Sequence, residues 1–418
     1  MNILLVGGGG REHVLAWKLS QSKHTDKLYC APGNAGIAKL AECVPIKATE
    51  LDQLVDFAKM HAIDFAVVAP DDPLALGLVD RMEAAGIPAF GPSKAAARIE
   101  GSKIFSKTLM QKHNIPTAAW QSFDNPSDAI AYIRERGAPI VVKADGLALG
   151  KGVVVAGTEE QARNAVRDMM ENKQFKDAGA RVVIEEFMTG PEVTVLAFSD
   201  GKTIRTMPSS RDHKPVFDGN QGKNTGGMGA ISPAPGYTPE LAKICMDTIF
   251  MPTIRAMEAE GCPFKGVLYF GLMLTPNGPK VIEYNARFGD PEAQAILMLL
   301  KTDLLDIMTA VREERLTDMD ISWQDEAACC VVMASGGYPD QYPVGLPIDG
   351  LPEERPGFMV FHAGTALVEG RTVTAGGRVL GVTARATLPG DAIAAAYDGV
   401  KQISFENAHF RTDIGTCP

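Results

Sequence analysis

The sequence predicts a multidomain protein of the α/β and α+β classes that begins with a doubly wound, Rossmann-like unit. Its 418 residues are too many for one core, and at ~150 residues per domain they make about three domains. Residues 2–6, apolar from Ile3 onward, and the wholly apolar residues 65–69 alternate with helical patterns. Such strands are typical of a parallel sheet covered by helices on both faces. The 45% hydrophobic and 22% charged residues exclude wholesale disorder.

Net charge and cysteine usage narrow the class of protein. The 41 Lys and Arg residues against 51 Asp and Glu leave a charge of −10, which opposes general affinity for nucleic acid or an anionic membrane. No stretch approaches about 18 uninterrupted apolar residues, and the N-terminus lacks a signal pattern, so we expect no membrane span and no secretion. The 7 cysteines form no Cys-x-x-Cys motif and predict reduced core thiols in a cytoplasmic protein.

The first unit should end near Gly91-Pro92, because glycine and proline interrupt regular structure there. A Pro-Asp-Asp-Pro loop is expected after its third strand. Its strands are predicted at residues 2–6, 27–30 and 65–69, and its helices at 12–20, 51–60 and 74–85.

Four consecutive glycines, Gly7 to Gly10, follow the first strand. They do not fit the dinucleotide fingerprint Gly-x-Gly-x-x-Gly, because Glu12 or His13 occupies the third glycine position and the second strand lacks an acidic residue. A glycine turn before a helix N-terminus still favours an anion such as phosphate. A tight turn without any ligand fits this loop equally well.

The middle of the chain is predicted to contain a long helix, a small α/β unit and a larger mixed region. Residues 93–113 should form one amphipathic helix on which Lys103 and Lys107 share a face. A polar, glycine-rich loop interrupts the mixed region at 209–231, and a last unit begins near Ala327. The small unit (117–188) should hold strands at 140–143, 153–156 and 182–186 and a helix at 158–170, and the mixed region (193–310) strands near 193–198, 266–274 and 280–284.

A second glycine-rich loop follows Lys143, the last residue of an apolar strand. No helix follows Lys151, so this is not a Walker A loop. A loop between antiparallel strands can instead fold over a triphosphate as a lid. A lysine at the end of an apolar strand is costly unless its charge meets an anion, which indicates phosphate binding by Lys143. A hairpin with one solvated lysine is the alternative.

Acidic residues end the strand at 182–186, and Glu192 follows a Gly-Pro turn. A strand edge at Glu186–Met188 would give an adenine its donor–acceptor edge, and the carboxylate of Glu192 would accept ribose hydroxyls. Acidic strand ends that are merely solvated are the alternative.

Glu283, Asn285 and Arg287 alternate along a predicted strand and so should share one face. A carboxylate, an amide oxygen and a guanidinium on one face suit Mg²⁺ bridging phosphates beside an arginine that binds a second anion. An exposed polar face is the alternative, although we expect Val281 and Ile282 to be buried.

Asp212 and His213 precede residues 222–229, a segment too rich in glycine to predict a regular element. The segment is either an anion-binding loop or disordered. We expect a structural role for His213, because a lone histidine among these motifs gives no basis for catalysis.

Together these segments resemble the ATP-grasp superfamily, and more narrowly the glycinamide ribonucleotide synthetase (phosphoribosylamine–glycine ligase) family. The similarity runs nearly end to end, through GGGGREHVLAWKL, APGNAGIA, VVKADGLALGKGVVV, NTGGMGA, VIEYNARFGDPEAQ and TAGGRVLGVTA. The ordered pair NTGGMGA and NARFGDPE is the most specific part. The resemblance implies a pre-ATP-grasp domain over 1–100, an ATP-grasp domain over 101–322 with a lid subdomain of about 121–190, and a C-terminal domain like that of biotin carboxylases over 323–418.

The resemblance also implies roles for single residues. Arg287 and Asp212 would be catalytic, with Asp212 near the glycine amino group and Arg287 near the phosphoribosylamine. Glu283 and Asn285 would hold Mg²⁺ or Mn²⁺. The implied ATP-binding residues are Lys103, Lys143, Gly146, Gly150, Lys151, Gly152, Glu185, Glu186, Phe187, Met188 and Glu192. The implied substrate-binding residues are Gly9, Gly10, Thr225, Gly226, Gly227 and Asp290.

The implied reaction belongs to de novo purine (IMP) biosynthesis. ATP would phosphorylate glycine, and the amine of 5-phosphoribosylamine would attack the glycyl phosphate, giving the amide, ADP and phosphate. We expect only these small-molecule partners, no nucleic acid or membrane, and a monomer or homodimer. The alternatives are another ATP-grasp carboxylate–amine ligase of nucleotide metabolism, a Rossmann NAD oxidoreductase, which the failed fingerprint disfavours, or a non-catalytic nucleotide-binding regulator.

Three segments depart from the family pattern. Arg211 and Pro215 flank Asp-His-Lys where Gln and Arg are usual, and Lys223 stands where proline is common. Asp71-Asp72 replaces the more usual Glu-Ala. We expect these changes to affect contacts with substrate and not with ATP.

Overall fold

The computed structural model describes residues 1–146, 152–172 and 176–416. Its first unit contains the predicted parallel sheet, with strand order β3-β2-β1-β4-β5 once the elements are numbered along the chain. The elements are β1 (Asn2–Gly7), α1 (Gly10–Ser20), β2 (Lys27–Pro32), β3 (Glu42–Cys43), α2 (Leu51–Met60), β4 (Phe65–Val68), α3 (Asp71–Leu76), α4 (Leu78–Ala84) and β5 (Ala89–Phe90), with a 3-10 turn at Ile37–Lys39. Strand β1 is central, and its Ile3–Val6 segment is fully buried, which explains its unbroken apolar sequence.

Two predicted helices are each broken at one residue. Gly77 separates α3 from α4 and has a φ of 91°, which favours glycine. Ser102 separates α5 (Lys94–Gly101) from α6 (Lys103–Lys112) and is extended. Its hydroxyl accepts a hydrogen bond from the Phe105 N–H and so caps α6. The prediction of one helix over 93–113 was therefore wrong, and Lys103 lies at a helix N-terminus. The loop predicted at Asp71-Asp72 is the first turn of α3.

The small unit that follows has an antiparallel sheet and its own hydrophobic core, as expected for a lid around the second glycine-rich loop. The strand order is β6-β9-β7-β8, and the core includes Ile133, Val142, Ala162 and Val182. A π turn, Arg167–Glu171, continues α8, so the helix predicted at 158–170 is composite. The elements are β6 (Trp120–Phe123), α7 (Pro126–Arg136), β7 (Ile140–Ala144), β8 (Val153–Ala156), α8 (Glu159–Val166), a 3-10 turn at Lys176–Gly179, and β9 (Val182–Glu186).

The remaining chain forms a central unit and a last unit. The central elements are β10 (Glu192–Asp200), β11 (Ile204–Thr206), β12 (Arg211–Asp212), β13 (Pro215–Phe217), β14 (Gln221–Asn224), β15 (Gly229–Ser232), α9 (Pro239–Cys245), α10 (Met251–Ala259), β16 (Lys265–Thr275), β17 (Gly278–Asn285), α11 (Glu292–Leu297) and α12 (Leu304–Arg312). The last unit has β18 (Ala327–Ala334), β19 (Phe358–His362), β20 (Thr365–Val368), β21 (Arg371–Thr374), β22 (Arg378–Ala386) and α13 (Pro389–Val400). Short turns lie at Asp218–Asn220 and Leu316–Asp318, and a π turn at Met246–Phe250 joins α9 to α10.

The glycine-rich segment 209–231 is ordered, contrary to the expectation that it lacks regular structure. It contains β12 to β15, and β15 pairs with β18, with Gly229 opposite Val331. The resulting antiparallel sheet has the order β12-β15-β18-β22-β19, while the central sheet has the order β11-β10-β16-β17. Pairing with a strand about a hundred residues further along the chain satisfies backbone groups that the local sequence leaves open.

One hydrophobic core joins three units of the chain. Leu15 of α1 packs in the same buried cluster as Ile296 of α11 and Phe361 of β19. The His362 N–H also donates to Nδ1 of His13 at 2.7 Å. This shared core fixes the walls of the cleft between the units. The described cysteines are free thiols, mostly buried as predicted; Cys417 lies outside the described residues. Among the residues described, no helix is both long and apolar enough to cross a bilayer.

Candidate active site

A cleft of about 410 Å³ lies where the first, central and last units and the lid meet. Many of the predicted site residues line it: Lys103, Gly152, Asp212, Thr225, Gly226, Glu283, Asn285, Arg287 and Asp290. Residues to which the sequence analysis assigned no role complete the lining: Arg11, Asp71, Glu100, Val153, Lys214, Tyr269, Gly289, Glu292, Tyr338 and Arg378. Polar groups from distant parts of the sequence therefore converge on one concave site, which is the usual arrangement of a small-molecule site.

Two buried lysines share one carboxylate beside the cleft. The ammonium of Lys143 lies 3.0 Å, and that of Lys107 2.9 Å, from the carboxylate of Glu185. Burial lowers the pKa of Lys107 to about 8, although Glu185 opposes that shift. Burial also acts to raise the pKa of Glu185, but the two lysines outweigh it and lower that pKa. Two lysines thus share one carboxylate, which leaves cationic groups in excess beside the cleft.

Glu185 is thus an ion-pair partner, whereas the next residues are accessible. The Glu185 side chain is only 2% exposed and lies beneath the surface, so it does not line an adenine pocket as predicted. Glu186 pairs with Lys280 at 2.8 Å. Phe187 is exposed, and Met188 is half-buried. Phe187 and Met188 therefore offer an accessible apolar surface for a flat base.

Lys103 begins α6 and makes no side-chain hydrogen bond or ion pair within the described residues. Its backbone N–H donates to the Asp145 carbonyl, and the Asp145 carboxylate accepts from the Ser102 hydroxyl and the Ile104 N–H. The same carboxylate pairs with Arg181 at 2.6 Å. Asp145 thereby fixes the start of α6 to the base of the glycine-rich loop.

The lid loop itself is described only at its ends. The Gly146 N–H donates to the carbonyl of Ala178 at 3.1 Å, and the Gly152 carbonyl accepts from the Ala144 N–H at 2.8 Å. Gly150, predicted to cover the phosphates, and Lys151, predicted to bind ATP, lie outside the described residues.

Glu283 and Asn285 both reach the cleft, and neither side chain has a hydrogen-bonding partner among the residues described. Strand β17 ends at Asn285, so Arg287 lies beyond the strand and not on it as predicted. Val281 is buried, but Ile282 is only half-buried, and its carbonyl accepts a hydrogen bond from Lys143. Two oxygen donors two residues apart on one strand, both free of partners in the described part of the chain, fit a hard divalent cation.

Arg287 is held by a buried carboxylate. Its guanidinium lies 3.0 Å from Glu100, which is 7% exposed and also accepts the Ala286 N–H. Burial acts to lower the pKa of Arg287, but Glu100 outweighs burial and raises it. The Nε atom of Arg287 is buried and has no hydrogen-bond partner among the residues that the structure describes. Arg287 therefore stays charged and has an unused donor.

A second group of charges surrounds Asp212. The Lys214 ammonium lies 3.2 Å from both Asp212 and Glu192, and these carboxylates raise the pKa of Lys214 despite its burial. Glu192, predicted to bind a ribose, is paired with Lys214 in this structure. Burial and the nearby Asp212 carboxylate raise the pKa of Glu292 to about 7. Tyr269 donates to or accepts from Thr194 at 2.9 Å beside this group.

The NTGGMGA segment is held by the last unit. Arg378 donates to the carbonyls of Gly226 and Asp290 at 2.7 and 2.6 Å, and pairs with the Asp290 carboxylate at 3.0 Å. Burial acts to raise the pKa of Asp290, but Arg378 outweighs burial and lowers it. The Thr225 hydroxyl accepts the Gly227 N–H and donates to the Lys214 carbonyl, so it shapes the loop.

The four-glycine turn contacts the same region without lining the cleft. The Gly9 N–H donates to Glu12 at 2.6 Å, and a side chain at Gly10 would collide with Gln294. Arg11 reaches the cleft from the first turn of α1. His213 is buried, with its ring beside the Gly229 carbonyl and the Gly415 N–H, in agreement with a structural role.

Several residues that sequence reasoning missed lie inside motifs it had singled out. Arg11, Asp145, Glu292 and Arg378 belong to GGGGREH, VVKADG, NARFGDPE and GGRVLGV, so a signal for them existed. Tyr269 and Tyr338 lie in no such motif, and only the fold places them there: the Gly226 N–H donates to the Tyr338 hydroxyl at 3.2 Å.

Comparisons with known proteins point to one family over nearly the whole length of the chain. Models of the N, ATP-grasp (A) and C domains of phosphoribosylglycinamide synthetase match residues 1–100, 101–293 and 328–417. The chain is 51% identical over 415 residues to a phosphoribosylamine–glycine ligase of Rhizobium meliloti, covering 99% of this chain and 98% of the relative. It is 49% identical over 420 residues to that of Vibrio vulnificus, with coverages of 99% and 98%.

Solved structures show the same fold. The crystal structure of phosphoribosylamine–glycine ligase from Thermotoga maritima matches with a TM-score of 0.88 at 32% identity, covering 99% of this chain and 100% of that chain. A biotin carboxylase from Campylobacter jejuni matches with a TM-score of 0.77 at 14% identity, covering 98% and 92%. The match to the biotin carboxylase shows similarity of fold alone. The predicted fold class, a multidomain ATP-grasp architecture, is confirmed.

Proposed function

The chain belongs to the phosphoribosylglycinamide synthetase family, and from this membership we propose that it ligates glycine to 5-phosphoribosylamine. The products are glycinamide ribonucleotide, ADP and phosphate, in the purine pathway predicted from the resemblance. Identity of about half over nearly the whole length of curated ligases is the observation that carries the proposal. It also disfavours an NAD oxidoreductase, for which the sequence lacks the fingerprint.

The cleft has the charges that the reaction requires. ATP phosphorylates the glycine carboxylate, and the amine of 5-phosphoribosylamine then displaces phosphate from glycyl phosphate. Phosphoryl transfer between two anions depends on alignment and on neutralisation of negative charge. We assign that neutralisation to Lys103, to the Lys107–Glu185–Lys143 cluster and to Arg287. No covalent protein nucleophile is needed, and a closed lid would protect the acyl phosphate from water.

The donor set in the cleft fits a divalent metal ion. Glu283 supplies a carboxylate and Asn285 an amide oxygen, and both are without partners in the described part of the chain. The described residues contain no group of three or more His, Cys, Asp or Glu side chains able to hold a metal by themselves. Mg²⁺ typically uses one or two protein ligands with phosphate oxygens and water. When bound, the ion would neutralise phosphate charge; Mg²⁺ and Mn²⁺ fit these donors equally.

The other residues bind and orient the two substrates. Asp212, held by Lys214, provides a carboxylate for the glycine ammonium. The exposed Phe187, with Met188, provides a surface for the adenine, and Glu192 accepts the ribose hydroxyls once it leaves the Lys214 ammonium, which stays on Asp212. We assign the phosphoribosylamine to Arg287, on the side of the cleft where Asp290 lies next to the Gly9-Gly10 turn. Arg378 fixes Gly226, Gly227 and Asp290, and these residues form the wall between the positions of the two substrates.

The proposal also covers the domain boundaries, the cellular location and the oligomeric state. We propose the domain division 1–100, 101–322 and 323–418, although β15 of the second domain pairs with β18 of the third. The acidic composition and free thiols support a cytoplasmic location. Sedimentation at several protein concentrations distinguishes a monomer from a homodimer.

The decisive experiment measures ADP release with ATP and Mg²⁺, adding glycine and phosphoribosylamine, generated in situ, separately and together. The ligase proposal requires ADP equal to the amide formed, and only when both substrates are present. ADP release that ignores glycine but responds to another carboxylate would indicate a different ATP-grasp ligase. No ATP turnover in any combination would contradict an enzymatic function.

A further inference from the structure

A second cleft, about 540 Å³ in volume, shares no lining residue with the candidate active site. It lies between the C-terminal half of α1, the segment after α11 and the last unit. We call it the α1 cleft and define it by its lining: Trp17, Lys18, Gln21, Met298, Leu300, Lys301, Gln324, Glu354, Arg355, Pro356, Gly357, Met359 and Arg385. Its size lies within the range of nucleotide and drug-sized sites.

Lys18 is a buried cation without an anionic partner at ion-pair distance. It is 9% exposed, and its ammonium donates to the Leu300 carbonyl at 2.8 Å. It forms no ion pair with any described residue. Burial lowers the pKa of Lys18, Asp303 opposes the shift, and Arg385 adds to it. A buried ammonium that lacks a carboxylate is costly, and an anionic ligand in the α1 cleft would relieve that cost.

The rim of the α1 cleft adds further positive charge. Of the described lining residues, four are cationic and only Glu354 is acidic. Lys301 and Arg355 are exposed and form no ion pair in the part of the chain that the structure describes. Arg385 is paired with Glu326. On a chain with a net charge of −10, this concentration of unpaired cations is a local exception that favours an anionic ligand.

The rest of the lining is apolar and aromatic. Met298, Leu300 and Met359 are at most 5% exposed and form the floor. Trp17 lies beside them, with the Lys18 ammonium 5.2 Å from its ring centroid. An indole next to a cation suits a ligand with a flat, apolar part joined to an anionic part.

We propose that the α1 cleft binds a nucleoside monophosphate, with the phosphate on Lys18, Lys301 and Arg355 and the base against Trp17 and the apolar floor. The site is separate from the one that binds ATP in the proposed reaction. An inorganic anion alone would leave the indole and the floor unused, and an apolar ligand alone would leave the three cations unpaired.

Equilibrium dialysis of the full-length chain with labelled AMP tests this site. The double variant Lys301→Glu/Arg355→Glu reverses two exposed charges, so its fold should be kept, and a melting curve checks this. We expect the wild type to bind AMP, and we expect the Kd of this binding to be at least about tenfold higher in the double variant. The control, Lys59→Glu/Lys243→Glu, reverses two exposed lysines that line neither cleft and should retain AMP binding. Lys18→Met should also weaken AMP binding.

Three results would overturn the proposal. AMP binding equal in wild type, double variant and Lys18→Met would place the nucleotide elsewhere. Absence of any component sensitive to these changes would leave the α1 cleft without a ligand of this class. Inorganic phosphate that displaces AMP at equal concentration would contradict the assignment to a nucleotide. None of these readouts uses turnover, so a failure here is distinguishable from a failure of the ligase assignment.

Discussion

The ammonium of Lys143 lies 3.0 Å from the carboxylate of Glu185. Glu185 also holds Lys107, and all three side chains are at most 5% exposed. A single carboxylate thus neutralises two buried lysines only in part, and the remaining charge is kept away from water. The arrangement places a stable positive charge beside the cleft, but it makes the carboxylate more important for stability than either lysine.

The first prediction compares the two partners in this cluster. Lys143→Met leaves Lys107 and Glu185 as a balanced pair, so the variant should fold while its turnover falls at least about 100-fold. Glu185→Gln leaves two buried ammonium groups unpaired and should lower the free energy of unfolding by about 3–5 kcal/mol. Urea denaturation and ADP release measure the two effects. Glu186→Gln, which removes an exposed pair, is the control and should cost at most about 1 kcal/mol. Equal stability of the two glutamine variants would contradict this account.

The second prediction concerns Asp145, which fixes the start of α6 to the base of the lid loop. Asp145→Asn keeps the shape but weakens the bonds to the Ser102 hydroxyl, the Ile104 N–H and Arg181. We expect a stability loss of about 1–3 kcal/mol and a raised KM for ATP, because Lys103 is positioned by this contact. Arg181→Gln, whose side chain is 54% exposed, should have the smaller effect. An unchanged KM for ATP in Asp145→Asn would show that Lys103 is positioned by other groups.

The elements that sequence patterns predicted well are those whose residues carry their own signal. Strands β1 and β4 are buried on both faces, and a wholly apolar run in the sequence reports that burial directly. A charge that ends or interrupts an apolar strand pattern likewise drew attention to Lys143 and Glu283, whereas Lys103 was assigned from the family resemblance. Local patterns therefore identified the central strands of the first unit and the strand that carries Glu283.

The parts that could not be predicted depend on distant partners. The break at Ser102 follows from a capping hydrogen bond and from Asp145, neither of which periodicity reports. Pairing of β15 with β18 joins segments about a hundred residues apart. Glu185 ends a strand like many solvated acids, and only the fold brings Lys107 and Lys143 to it. Long-range contacts of this kind leave no local pattern.

The third prediction tests Glu283 as a metal ligand. Glu283→Gln keeps the size of the side chain but replaces a charged oxygen donor by a neutral one, so it should raise the Mg²⁺ concentration needed for tight ATP binding by about tenfold or more. Calorimetric titration of ATP at a series of Mg²⁺ concentrations measures this without turnover. Glu160→Gln, at an exposed position on α8, should behave as the wild type. Mg²⁺ dependence that is identical in the wild type and Glu283→Gln would exclude Glu283 as a ligand.

The last prediction concerns the carboxyl group of Glu292, which faces Asp212, Lys214 and Tyr269. Burial and the Asp212 charge raise its pKa from 4.5 to about 7, while Lys214 opposes the shift. The folded state therefore binds a proton that the unfolded state releases. The resulting stabilisation is fully present below pH 4.5 and is lost as the pH rises through about 7, at a slope of up to about 1.4 kcal/mol per pH unit.

Glu292→Gln imitates the protonated form and should remove this slope. Its free energy of unfolding, measured in urea at several pH values from 4.5 to 7.5, should change less with pH than that of the wild type, whereas Glu313→Gln, at an exposed carboxylate, should keep the wild-type slope. An ionised Glu292 can also accept the proton that the attacking amine loses, so wild-type turnover should rise through about pH 7 and the rise should be absent in Glu292→Gln. A wild-type stability slope retained in Glu292→Gln would mean that another buried group takes up the proton in the folded state.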